Sequence, residues 1–385
     1  MHTWVEINEK NLIKNYQTFS GLCGKTPVMP ILKSNAYGHG LTKIAAALIP
    51  QNPKWIGVNS VAEGFALRNT MYQGNILVMG PILTREELSL SHSQHLDITI
   101  GSFEILNLWL NLKNKPNIHL KVDTGMSRQG FLPTTFPQAL SQILHTDYIF
   151  IRGIYTHFAD VEDSMDTSWA HTQLHSLLDL TNKFHKQGLK PLIHSAATAA
   201  ALVIPNTRLD ITRIGIGLYG LWPGSQMPDS PLRSQLKPVL SWRARLTTVK
   251  HIEDGSYVGY GCHYKTRRAT DIAVIPVGYY EGYPRLASSG DVLIHGKRCS
   301  ILGRICMNMM MVDVTDLPER AKPGDTATLL GKDEKEEILA EDIATRAQSI
   351  HYEIITRINS ALPRISTQSE KPASPAYLEL QPTLP

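Results

Sequence analysis

Lys33 is the residue from which chemistry can be read. It closes the apolar run "VMPIL" (28–32) and opens the polar loop "KSNAYGHG" (33–40). A lysine in a partly dry pocket can lose its proton and attack an aldehyde. That condensation is how pyridoxal phosphate is held by enzymes. Such a cofactor needs an anion site for its phosphate and a partner for its ring nitrogen. The stretch "RIGIGLYG" (213–220) can supply both: glycines free backbone N–H groups for a phosphate, and Arg213 is a donor for the ring. "GIGLYG" also matches the dinucleotide pattern G-x-G-x-x-G. However, the turn-rich "LWPGSQMPDSP" follows where a βαβ unit is required, and Leu236 and Leu240 stand where a ribose-binding acid belongs.

Other polar groups recur in similar surroundings. "DTGMSRQG" (123–130), His157 in "YTHFAD", "HSAATAA" (194–200) and Arg213 each end, follow or sit in a short apolar run. Those runs are 27–32, 55–58, 76–79, 97–100, 118–122, 151–156, 191–194 and 211–218. Most are apolar on both faces, as strands of a covered parallel sheet are. Amphipathic segments such as 41–49, 103–112 and 169–188 lie between them, the last ending at Gly188. Eight strands alternating with helices predict a (β/α)8 TIM-type barrel with its reacting groups on the loops after the strands. A doubly wound sheet is the alternative.

After 222–231 the pattern becomes alternating: 240–252, 272–279, 291–305, 309–315 and 326–331 read as antiparallel strands of a mostly β C-terminal domain. A helix over 336–348 and a run at 351–358 close it. The expected division is a barrel over 9–230, a β-rich domain over 231–365 that strand 3–8 can join, and a Pro- and Ser-rich disordered tail over 366–385.

Composition narrows the field. Of 385 residues, 42% are hydrophobic and 19% charged, ordinary for a soluble globular protein. The formal charge of +4 is spread along the chain with no cationic run, which argues against nucleic-acid binding. Cys23, Cys262, Cys299 and Cys306 show no C-x-x-C pairing or zinc spacing, so free thiols and no metal are expected. There is no H-E-x-x-H and no G-x-S-x-G. "MHTWVEINEKN" is unlike a secretory signal, and no apolar run is long enough to span a bilayer, so a cytoplasmic protein is expected.

With these stretches in hand the sequence resembles the alanine racemases, pyridoxal-phosphate enzymes with a barrel followed by a β domain. "KSNAYGHG", "KVDTGMSRQGF" (121–131), "THFAD", "RIGIGLYG", "VGYGCHY" (258–264), "VGYYEGYPR" (277–285) and "GRICMNMMMVDVT" (303–315) occur in that family's order. The resemblance covers residues 3–365 and implies roles. Lys33 would hold the cofactor and act as one base, and Tyr260 of the partner subunit would be the opposite base. Arg213 would face the ring nitrogen, with His157 orienting it. Tyr37, Thr198, Gly215, Ile216 and Tyr352 would form the phosphate cup. Arg128 would hold the substrate carboxylate beside the Met307 N–H, since a guanidinium donates two parallel hydrogen bonds. Lys121 matches a lysine that is often carbamylated. Two departures stand out: Ala197 where an amide side chain is usual, and Asn308 where several relatives carry Asp.

The implied function is interconversion of L-alanine and D-alanine, supplying D-alanine for peptidoglycan, in a homodimer with shared sites. Tyr37, Tyr260, Tyr279 and Tyr352 would crowd out long side chains, although serine is close in size to alanine. The rivals are a barrel-type amino-acid decarboxylase, in which an acid and not Arg213 would meet the ring nitrogen; a non-catalytic pyridoxal-phosphate carrier, which would lack the β domain; and a cofactor-free binding protein. A guanidinium yields its proton reluctantly, so the ring stays a weaker electron sink and reprotonation at the wrong carbon is disfavoured. Replacing Arg213→Glu is therefore expected to raise transamination relative to racemisation, read as pyruvate formed per D-alanine; an unchanged ratio would contradict this role.

Overall fold

The computed structural model describes residues 1–144, 151–185, 190–228 and 230–367. The expected helix stop at Gly188 and the tail from 368 onward lie outside them. The chain divides into Lys10–Val239 and a second unit made of Met1–Glu9 with the chain from Leu240 onward.

In the first unit, eight parallel strands form a ring: Val28–Pro30, Trp55–Val58, Asn75–Val78, Leu96–Ile100, Ile118–Lys121, Ile151–Tyr155, Leu192–His194 and Thr212–Ile214. The second to seventh pair in order, and the first pairs with the eighth, Met29 opposite Arg213. Leu32 N–H donates to Gly57 O at 2.8 Å, joining first to second. Asp210 N–H donates to Ile193 O at 3.0 Å and Arg213 N–H to Ala196 O at 3.1 Å, joining seventh to eighth. The strands form where apolar, mostly β-branched runs stand, and Ile56, Val58, Ile76, Val78, Ile98, Ile100 and Leu120 are all buried. Among this hydrocarbon stand Asp97, Thr99, His119, Tyr155, His194 and Arg213, also buried.

Helices occupy the intervening segments. Ser60 caps Val61–Arg68 by accepting from Glu63 N–H, and Thr84 with Glu87 forms a capping box at Arg85–Ser93. The eighth strand is shorter than its apolar run. After Ile214 the chain turns at Gly215 into a 3-10 turn, Ile216–Tyr219, which ends at Gly220 with φ +80°. The division into units at Val239 falls later than the expected 230/231. Segment 231–239 returns to the barrel: Asn15 Nδ2 donates to Lys237 O, Lys237 N–H to Asn15 Oδ1, and Val239 N–H to Tyr219 O.

The second unit is built on a ten-stranded sheet. Thr3–Ile7 lies antiparallel to Leu240–Arg245 and parallel to Arg364–Ser366. The run 240–252 divides into Leu240–Arg245 and Thr248–Ile252, which take different places in the sheet. The run 291–305 contains a hairpin, Asp291–Ile294 and Lys297–Leu302, turned by His295 and Gly296 at positive φ. The expected helix over 336–348 begins later: Glu336–Ile338 pairs with Thr326–Asp333, and the helix is Ala340–Ala347. Ser366 ends a strand and Thr367 N–H donates to Ile7 O, so the start of the expected tail is ordered.

At Gly220 a Cβ would lie 1.8 Å from Lys237 O. Replacing Gly220→Ala combines that clash with a left-handed backbone and is expected to cost about 2–4 kcal/mol, read as a lower thermal midpoint.

Candidate active site

Lys33 directs its chain into a rare backbone form. Ser34, Asn35, Ala36 and Tyr37 all have φ between 51° and 56°, a turn of left-handed helix. Each such residue costs about 1–2 kcal/mol when it is not glycine. The turn is tied at every level. Ala36 N–H donates to Leu32 O at 2.8 Å and Gly38 N–H to Ser34 O at 3.1 Å. Asn35 Oδ1 accepts from Leu41 N–H at 2.8 Å. Glu63 accepts from Asn35 N–H through one oxygen, at 3.1 Å, and from Asn59 N–H through the other, at 2.8 Å. The half-buried Lys33 amine stands 5.9 Å from the centre of the Tyr37 ring.

Arg213 is 3% exposed. Its guanidinium donates to His194 Nδ1 at 2.9 Å, and to Thr156 O and Ser195 O at 2.8 Å each. It lies over the Tyr155 ring at 5.2 Å. Three of the five donors a guanidinium carries are thus engaged, leaving two for a ligand. Sequence reasoning gave the orienting role to His157. That ring is 3.4 Å from an arginine nitrogen whose two hydrogens already serve the carbonyls, so the closer orienting contact is His194. His194 was marked only by its place in "HSAATAA".

An anion cradle lies beside this arginine along the chain. Thr198 Oγ1 accepts from Gly215 N–H at 3.1 Å and Gly217 N–H at 3.5 Å, which leaves its own hydrogen to donate outward. At Gly215 a Cβ would lie 2.5 Å from Tyr37 Oη, and at Gly217 2.6 Å from Thr198 Cγ2. The two glycines therefore let backbone and hydroxyls converge. Ile216 is buried between them, and Ala197 offers no side-chain capping bond.

After the fifth strand the loop 123–130 wraps around one carboxylate. Asp123 accepts from the N–H groups of Gly125, Met126, Ser127 and Arg128 at 2.9–3.0 Å. These bonds hold Asp123 below the usual carboxylate range although burial opposes it. They also fix the backbone that carries Arg128, whose side chain is exposed. Lys121 is buried, donates to Gln129 Oε1 at 3.2 Å and lies over Tyr155 at 5.6 Å.

Positive charge dominates the electrostatics. Burial lowers the Lys33 amine below its ordinary value, and the charges of Arg128 and Arg213 lower it further. Lys121 falls to about 8 by burial and then the same two arginines. Burial, with Arg213, Lys121 and Arg128, holds His157 well below the usual histidine range. Arg213 itself is lowered by burial to about 10, so it stays charged at neutral pH.

Tyr260, Met307 and Tyr352 belong to the other unit. Tyr260 is 68% exposed and Met307 55%. Tyr280 N–H donates to Met307 O at 2.9 Å, and Asn308 Nδ2 donates to Glu281 Oε1 at 2.8 Å. The Asn308 departure therefore has a consequence beyond the main chain: an Asp there would face Glu281. Tyr352 sits half-buried on the helix His351–Thr356. Glu63, Asp123 and His194 are the residues sequence reasoning left without a role; Glu63 offered no signal of its own, and Asp123 only its place in the motif.

Comparison with known proteins agrees over nearly the whole chain. Residues 7–223 match the family model for the alanine racemase N-terminal domain, and 239–366 that for the alanine racemase C-terminal domain. The alanine racemase of Leptospira interrogans is 38% identical over 372 residues, covering 94% of this chain and 95% of the relative. That of Methanococcus maripaludis is 34% identical, covering 94% and 98%. Among solved structures, the alanine racemase of Clostridium difficile 630 has a TM-score of 0.88 at 29% identity, covering 96% of this chain and 97% of that one.

The charge pattern at Lys33 can be measured. Binding of pyridoxal phosphate to the apoprotein, followed by absorbance, is expected to rise with pH through a midpoint below that of an ordinary lysine. Removing a lowering charge by Arg128→Gln should move the midpoint up. A midpoint indifferent to Arg128 would contradict the electrostatic reading.

Proposed function

The chain belongs to the alanine racemase family, and from that premise we propose how its own residues divide the work. The reaction is the interconversion of L-alanine and D-alanine, with pyridoxal phosphate as cofactor. When bound, pyridoxal phosphate supplies an electron sink for the pair left on Cα as its proton departs. The residues suit such a group: a neutral-prone amine at Lys33, a buried guanidinium with donors to spare at Arg213, and a glycine-lined hydroxyl cradle at Thr198 and Tyr37.

Lys33 Nζ anchors the cofactor and takes or returns the proton on one face of Cα. Tyr260 of the partner subunit serves the opposite face through its hydroxyl. Two bases, one per face, are what reversible inversion requires. Arg213 faces the ring nitrogen, and Thr198, Tyr37, Gly215, Ile216 and Tyr352 hold the phosphate. Arg128 binds the substrate carboxylate with the Met307 N–H. Lys121, lowered to about 8, has a neutral fraction at physiological pH that can take up CO2; as a carbamate it would attract Arg128 where an ammonium would repel it. The observation that carries this assignment is the half-buried setting of the Lys33 amine beside Tyr37, where burial and then the charges of Arg128 and Arg213 lower its basicity against the opposing pull of Glu63 and Glu162.

We further propose a homodimer with shared sites. In support, Tyr257, Tyr260, Tyr280, Leu286, Met307 and Met309 are all exposed in the β unit, apolar area suited to a second copy. Among the described residues no helix is long and apolar enough to cross a membrane. A cytoplasmic role feeding D-alanine to peptidoglycan synthesis fits this reading. A barrel decarboxylase is not favoured, since Arg213 stands where an acid would be required, and the relatives compared are named for alanine, not serine.

Lys33→Ala and Tyr260→Phe are each expected to lower kcat by about 10²–10⁴-fold, with D-alanine read by chiral chromatography. Refolded together, the two inactive variants should recover about a quarter of native activity, because hybrid dimers regain one complete site. No recovery, despite hybrids seen by native mass spectrometry, would contradict a shared site.

A further inference from the structure

The buried histidines behind Arg213 form a directional chain that the chemistry above does not use. His194 and His119 both have 0% exposure, and His119 Nδ1 is 2.9 Å from His194 Nε2. His119 Nε2 is 3.4 Å from Asp97 Oδ2. The direction of every bond follows from the arginine. A guanidinium only donates, so the His194 nitrogen it meets, Nδ1, must carry a lone pair. A neutral His194 then bears its hydrogen on Nε2 and donates to His119 Nδ1. His119 in turn bears its hydrogen on Nε2, the atom 3.4 Å from the Asp97 carboxylate, a charge contact and not a hydrogen bond, since neither atom has a hydrogen-bond partner. Burial holds both rings below the ordinary histidine range, His194 well below it, consistent with neutral imidazoles.

The surroundings are built for this contact. At Gly153 a Cβ would lie 2.3 Å from His119 Nδ1, so only glycine there lets the two rings meet. Tyr155 stacks on His194 at 4.6 Å and 8°, with its hydroxyl 2.9 Å from Thr99 Oγ1. Trp55 packs edge-on to His119 at 5.2 Å. At the far end Asp97 also meets Asn117 Nδ2 at 3.2 Å and Arg152 Nε at 3.7 Å. The charged and titratable groups around the two rings are therefore Asp97, Arg152, Tyr155 and Arg213.

We propose that His119 and Asp97 are positioning residues: they fix His194 as its Nε2–H tautomer, which turns the Nδ1 lone pair to Arg213 and sets the plane of the guanidinium. The proposal rests on the reading that Arg213 faces the cofactor's ring nitrogen. A carboxylate or carbonyl that orients a metal-bound histidine works in the same way, and removing one typically costs 10–100-fold in activity.

The test uses the holoenzyme labelled with 15N-histidine. Long-range 1H–15N correlation should show His194 and His119 with hydrogen on Nε2 only, unchanged across neutral pH. A proton on His194 Nδ1, alone or together with Nε2, would overturn the proposal without any variant being made. His119→Phe removes the acceptor and should lower kcat about 10–100-fold, leave KM for alanine near its native value and shift the absorbance of the bound cofactor. His119→Asn, whose carbonyl replaces Nδ1, should restore most of kcat and the native spectrum. Equal losses in both variants, with both folded by circular dichroism, would mean a merely structural role. Arg213→Ala separates the two readings: an unshifted cofactor spectrum there defeats the assignment of Arg213, whereas the native tautomers are read independently of it.

Discussion

Arg213 holds a full positive charge inside the barrel with no carboxylate touching it among the described residues. Burying an unpaired charge costs several kcal/mol unless dipoles replace water. Here two backbone carbonyls, a neutral imidazole and the face of Tyr155 do so. The charge is therefore retained, not neutralised, and it acts outward. Lys33, Lys121, His157 and His194 are all pushed toward their uncharged forms by it, after burial itself. Burial comes first in each case, with Arg128 ahead of Arg213 at the two lysines and Arg213 the leading charge at the two histidines.

Two backbone devices bring the reacting side chains to that field. The left-handed turn 34–37 places Tyr37 beside Gly215 immediately after Lys33, at a conformational cost carried by Glu63 and Asn35. The loop 123–130 is drawn around Asp123, so the segment bearing Arg128 is fixed by four backbone bonds although its side chain is free to meet a ligand. Strain and close packing of this kind are commonly found at functional sites.

The barrel was legible because its strands are short apolar runs and its helices amphipathic; six of the eight runs contain their strands whole, and the strands beginning at Asn75 and Leu96 each start one residue before the run. Lys33, Arg128 and Arg213 were legible because ordered motifs contain them. The inner chain was not. Asp97 and His119 alternate with apolar residues in Leu96–Ile100 and Ile118–Lys121, and nothing local says that an alternate residue turned inward will meet a partner seventy-five positions away, as His119 meets His194. The same limit hid the return of 231–239 to the barrel, which depends on Asn15 far upstream. At 336–348 the helical pattern was real, but pairing with 331–333 claimed its first residues for the sheet.

Everything depends on the amine at position 33 being the cofactor's anchor. The direct measurement is borohydride reduction of the yellow holoenzyme, digestion and peptide mass spectrometry. The expected result is a single pyridoxyl-modified peptide, with the adduct on Lys33. An adduct on another lysine, or none despite bleaching of the colour, would contradict it.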